Sequence, residues 1–181
     1  MYLTIRAIVL RVTDYNDHDA LLTVLTQNYG KLTIKARGLR RKNSPLIAPC
    51  QLLAFGEFTL FEYKGKYTIN EAHALELFQG LRRELTQLSL GSYFAQVAEL
   101  ISQEDMPNPE LQALLLNCLY ALSALQSESV TEMYTAGQQQ LRAHYLETVA
   151  LLVKARKIDS AALLPKLRKT LQTEIHEALL Q

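Results

Sequence analysis

Residues 30–42 read Gly30-Lys31-Leu32-Thr33-Ile34-Lys35-Ala36-Arg37-Gly38-Leu39-Arg40-Arg41-Lys42, and this stretch decides the fold. Leu32, Ile34 and Ala36 alternate with Lys31, Thr33, Lys35 and Arg37. That period of two lets a strand cover a core with one face and offer charge to solvent with the other. Asn28-Tyr29-Gly30, just upstream, supplies residues that tolerate left-handed backbone, as a hairpin turn requires. Residues 21–26 are then the other strand of the hairpin. Further upstream, residues 2–12 form a long strand that ends in a polar turn of Asp14, Tyr15, Asn16, Asp17, His18 and Asp19. Downstream, residues 38–49 form a basic loop with two prolines, and residues 52–63 and 67–72 pair across Lys64-Gly65-Lys66. Gly56 inside a strand predicts a bulge that lets the sheet curl. Five short strands with such a bend fit a Greek-key barrel of the OB type, a fold that binds nucleic acids on the face of its second and third strands.

After Phe78 the apolar period changes to 3.6, and the remaining chain reads as helix. One helix is expected over residues 88–103, with Phe94, Val97, Ala98 and Ile101 inward. Asn108-Pro109-Glu110 is an N-cap, a proline at the first helical position and an acid in the first turn. Leu111, Leu114, Leu115, Cys118, Leu119, Leu122 and Leu125 form the stripe of that second helix. A third is expected over residues 130–157 and a last segment around Pro165, with Leu164, Leu167, Leu171, Ile175 and Leu179 buried. The class is α+β, with an OB-type barrel over residues 1–78 and a helical domain over residues 79–181.

The chain has 181 residues and a net charge of +1, but its charges are unevenly placed. Between Ala20 and Gly56 there are six basic residues and no acidic one, whereas between Glu99 and Val153 there are seven acidic residues and one basic. Lys154, Arg156, Lys157, Lys166, Arg168 and Lys169 make a second basic stretch, as suited to helix C-termini as to DNA. Such asymmetry points to an anionic partner for the basic parts. The two cysteines, Cys50 and Cys118, lie far apart and read as buried free thiols, with neither a disulfide framework nor a zinc site. The absence of a cleavable leader or an 18-residue apolar run predicts a soluble, cytoplasmic protein.

Four segments, AIVLRVTD at residues 7–14, LLTVLT at 21–26, GKLTIKARGLRRK at 30–42 and NPEL at 108–111, resemble the RecO family of bacterial recombination mediators. The third is the most telling, because it joins a turn, a core face and a basic loop. The resemblance covers residues 2–126. It implies an N-terminal OB fold, binding of single- and double-stranded DNA, annealing of complementary strands, a role in recombinational repair at the nucleoid, and partnership with RecR, the single-strand-binding protein and RecA. By matching positions, it implies DNA contacts at Lys31, Lys35, Arg37, Arg40, Arg41 and Lys42. Many members place a cysteine zinc module after the first helices. This chain has no cysteine over residues 130–181, so no zinc is expected, and the resemblance is to a shortened or specialised relative.

Six cations without an acid are hard to account for as solvated surface alone, since mixed signs serve solubility better. Tyr63, Tyr67, Phe58 and Phe61 could stack on bases; Phe58 or Phe61 is expected in the core, and the tyrosines are left open. The acids of the 14–19 turn read as turn formers rather than a metal site or a nuclease centre. No phosphate-binding glycine loop, nucleophile elbow or carboxylate pair occurs, so neither enzyme nor cofactor is expected. The alternative is a non-enzymatic adaptor with a vestigial OB fold.

Overall fold

The computed structural model of the chain describes residues 1–124. The helices expected over residues 130–157 and around Pro165, and the second basic stretch, lie outside the described residues. Five strands, β1 (Tyr2–Asp14), β2 (Ala20–Thr26), β3 (Gly30–Ala36), β4 (Phe55–Tyr63) and β5 (Lys66–Glu76), close into a barrel in the order β1-β2-β3-β5-β4. A 3-10 turn, Gln79–Arg82, leads to helices α1 (Leu85–Ile101) and α2 (Pro109–Ala124). This is the OB-type α+β architecture expected from the alternation. The fourth strand begins at Phe55 rather than residue 52, because Leu53 adopts left-handed backbone (φ 67°) and turns the chain into the sheet.

β1 is 13 residues long because it serves two partners. Its first half, residues 2–8, runs antiparallel to β4, and residues 7–14 run antiparallel to β2. The register shifts between Val9 and Arg11, leaving Leu10 as a bulge that bends the strand from one partner to the next. The bulge expected at Gly56 lies instead on the partner strand: Phe55 and Gly56 are consecutive but pair with Glu76 and Ala74, so the extra residue is Leu75 of β5, opposite Gly56. At Gly56 a Cβ would press on the His73 carbonyl oxygen at 2.9 Å. β3 and β5 close the barrel in parallel through the pairs Ile34 with Tyr67 and Lys35 with Thr68. β4 and β5 join at Lys64-Gly65, whose φ angles of 51° and 72° suit the tight turn of a two-residue hairpin.

Ile5, Ala7, Val9, Ala20, Leu22, Val24, Leu32, Ile34, Ala36, Phe58, Leu60 and Ile69 fill the barrel, with Leu39 and Cys50 of the basic loop packed among them. Ile8, Leu10 and Leu25 are equally buried but alternate with the interior set, so they lie on the barrel's outside. There α1 and α2 pack over β1 and β2. Gly91 lets α1 approach closely: a Cβ at this position would meet Leu53 at 2.9 Å, with Leu81 and Leu119 next. Phe78 meets the Tyr120 ring edge-on at 4.9 Å between centroids. The period changes at Phe78, where β5 has ended and the 3-10 turn begins at Gln79.

Asn108 caps α2 as its sequence predicts, its Oδ1 accepting the Leu111 N–H at 3.1 Å. Leu111, Leu115, Leu119 and Leu122 of the expected stripe are buried. Gln112 is buried beside them, and its Nε2 donates to the Arg6 carbonyl at 3.1 Å and the Leu25 carbonyl at 2.9 Å. The α1–α2 linker sits on the β2–β3 turn, where the Lys31 N–H donates to the Gln103 carbonyl at 3.0 Å. Gly30, at φ 67°, has no room for a side chain: a Cβ would lie 2.7 Å from the Gln103 carbonyl oxygen. No helix among the described residues is long and apolar enough to cross a membrane.

Candidate nucleic-acid interface

The six predicted cations share one stretch of backbone, but the structure divides them into two groups. Lys31 leaves the strand toward α1, and its Nζ donates to the Glu99 carbonyl at 3.1 Å in the helix's last turn. A cation suits the partial negative charge of a helix C-terminus, so Lys31 holds the helix to the barrel. Lys35 Nζ pairs with Asp19 Oδ2 at 3.0 Å and lies 4.6 Å from the centre of the Tyr15 ring. Arg40 faces Asp14 at 3.4 Å and donates from Nη1 to the Asn16 carbonyl at 3.0 Å.

These two pairs lace the β1–β2 turn to the start of the basic loop. Asp19 is their centre. Its Oδ1 accepts the Gly38 N–H at 2.8 Å and its Oδ2 accepts from Asn16 Nδ2 at 3.1 Å. The Gly38 N–H, then Lys35 and Asn16, hold its carboxyl down to about 2. A charged Asp19 thus fixes where β3 ends and the loop begins, with Gly38 turning the chain at φ 66°.

Arg37, Arg41 and Lys42 are exposed, and among the described residues their side chains make no ion pair or hydrogen bond. Arg41 lies against Gly38, where an added Cβ would stand 3.4 Å from its Cδ. Its main-chain N–H donates to the Gly38 carbonyl at 3.1 Å, which closes the turn. The three charges therefore project from a turn whose backbone is anchored on both sides. Charge without a partner on a fixed turn is suited to phosphates, because little order must be created on binding.

The aromatic residues divide by strand parity. Phe58 is fully buried in the barrel, and Tyr67 packs half-buried against the same core. Phe61 and Tyr63 point outward. Asp14 and Asp19, which tie down Arg40 and Lys35, are site residues that the sequence presented only as turn formers. Ion pairing across the barrel's end left no trace in spacing along the chain.

The family model described as Recombination protein O N terminal matches residues 1–78. The DNA repair protein RecO of Acetivibrio thermocellus is 34% identical over 122 residues, 67% of this chain and 49% of that protein. That of Bacillus pumilus is 32% identical over 123 residues, covering 68% and 48%. That of Bacillus subtilis is 31% identical over 116 residues, covering 64% and 46%. The chain spans about half the length of the curated relatives it matches. By this N-terminal portion the chain belongs to the RecO family.

Proposed function

We propose that this chain binds single-stranded and duplex DNA through its phosphates and acts as a non-enzymatic mediator in recombinational repair. It neutralises two complementary strands so that they can approach and anneal, and it assists the loading of RecA. RecR and the single-strand-binding protein are the further partners that this role calls for. The observation that carries the reading is the trio Arg37, Arg41 and Lys42, exposed and unpaired among the described residues on an anchored turn. The relatives' name, DNA repair protein RecO, agrees with it. Lys35 and Arg40 stand beside the trio with their charges shared with Asp19 and Asp14, and they serve as secondary contacts. Lys31 contributes through the position of α1. The role needs no nucleophile, and burial pushes the Cys50 thiol up to about 12, so it stays protonated at neutral pH.

Each phosphate neutralised on a single strand adds about 0.7 to the slope of log K against log salt. Replacing Arg37, Arg41 and Lys42 together with alanine is expected to lower that slope by about 2. The loss should be equal for all sequences, since phosphate contacts carry no base information. Lys31→Ala is the control: it should lower Tm while leaving the slope nearly intact. A triple variant that stays folded and binds a labelled single strand with unchanged affinity and slope would refute the proposal.

A further inference from the structure

Away from the basic turn, the outer face of β1, β4 and β5 carries three aromatic rings. Tyr2 is 64% exposed, Phe61 41% and Tyr63 61%. Tyr2 and Phe61 are direct cross-strand partners, with ring centres 5.4 Å apart. Phe61 and Tyr63 are two residues apart on β4 and so stand about 6.6 Å from each other on one face. That is twice the step of about 3.4 Å between stacked bases.

Large rings are costly to leave in water, and nothing in the barrel requires them here, because β4 fills the core with Phe58 and Leu60. The hairpin beside them carries two cations, Lys64 and Lys66, and one acid, Glu62, whose Oε1 is held by the Gly65 N–H at 2.8 Å. Lys64 Nζ lies 5.3 Å from the centre of the Tyr63 ring, and Lys66 is the residue paired with Tyr63 across the hairpin. Thr68, paired with Phe61, is also the β5 residue that meets Lys35 of β3. The ring row therefore runs across the sheet to the strand that feeds the basic turn. The acids of this face lie further along: Glu71 one row away and beside His73 at 3.1 Å, and Glu57 two rows away and paired with Arg6 at 3.1 Å.

We propose that Tyr2, Phe61 and Tyr63 form a stacking platform for the unpaired bases of a nucleic-acid strand, with Lys64 and Lys66 holding its phosphates. The inference rests on the DNA-binding reading and deepens it: phosphates at the basic turn hold any nucleic acid, and the rings select strands whose bases are free. A duplex keeps its base faces inside the stack and cannot use the platform. Stacking tolerates every base, so the selection is for strandedness rather than sequence.

The test uses the full chain and two labelled oligonucleotides of one length, oligo(dT) and an abasic strand with the same phosphates. Oligo(dT) is expected to bind at least about tenfold more tightly. Replacing Tyr2, Phe61 and Tyr63 with alanine should abolish that preference and leave the salt slope for the abasic strand unchanged, while Tyr63→Phe retains it. The chain has no tryptophan. Tyr63→Trp therefore gives a single reporter, whose fluorescence oligo(dT) should quench and the abasic strand should not. Equal affinity of the unaltered chain for the two strands would overturn the platform, as would a folded triple variant that keeps the preference. In both cases a persisting salt slope leaves the phosphate reading standing and makes the rings a surface for a protein partner. If neither strand binds at low salt, the DNA-binding reading fails and the platform with it.

Discussion

Asp19 bears more of the site's geometry than any cation does. It accepts from Gly38, Lys35 and Asn16, and those bonds are stronger to its charged form. Its folded pKa lies near 2, below the ordinary value of 3.8. A depressed carboxylate contributes stability that is complete above its unfolded pKa and is lost as pH falls through the folded one. Asp19→Asn should therefore lower Tm at neutral pH. The gap from the unaltered protein should narrow as pH falls from about 4 and close near 2, a trend that thermal melts across that range would show. A constant gap would mean that the carboxyl acts through packing and not through charge. The sequence showed Asp19 and Lys35 sixteen positions apart with a whole hairpin between them, and only the β2–β3 register, which sets Ala20 opposite Ala36, brings their neighbourhoods together. That is why the cations were legible as a group while their division into held and free ones was not.

β3 and β4 follow their alternation, and so the barrel could be read from residues 30–42 outward. β1 and β2 do not. Ala7-Ile8-Val9-Leu10 and Leu22-Thr23-Val24-Leu25-Thr26 are buried without interruption, as befits strands with the barrel interior on one side and helices on the other. An unbroken apolar run states that both faces are covered without stating by what. Gln112 is the residue that most escapes a pattern reading, since a polar side chain on a helix is ordinarily placed outside. Its amide donates to main-chain carbonyls of β1 and β2, and so fixes the height of α2 on the barrel. Gln112→Leu keeps the approximate volume and removes both donors. It should cost about 1–3 kcal/mol, mostly from removing the donor at the buried Leu25 carbonyl. Urea titration should show the loss as a lower midpoint with an unchanged slope. Phe58 and Phe61 give a third case: three residues apart, they must face opposite sides of a strand, yet deciding which was inside needed the register with β1.

At the scale of the molecule, the barrel and its helices share two cores, one inside the sheet and one between sheet and helices. A polypeptide of residues 1–78 keeps the first core whole and loses the cover of the second. We expect it to retain a β-type circular dichroism spectrum, melt well below the full chain and bind a hydrophobic dye through Ile8, Leu10, Leu25 and Leu53. A 1–78 polypeptide as stable as the full chain, and silent toward the dye, would show that the helices contribute nothing to the barrel. The closure of the barrel has a consequence in time. β1 is made first, but its partner β4 lies more than fifty residues later, as the pairing of Tyr2 with Phe61 shows. At translation rates of about 5–20 residues per second, the first strand waits roughly 3–12 seconds for the strand that completes it. During that interval a nascent chain displays Ala7-Ile8-Val9-Leu10 with one ladder edge unpaired, and emergence from the ribosome, rather than the finished fold, is where this sequence is most exposed to chaperones and to its own neighbours on a polysome.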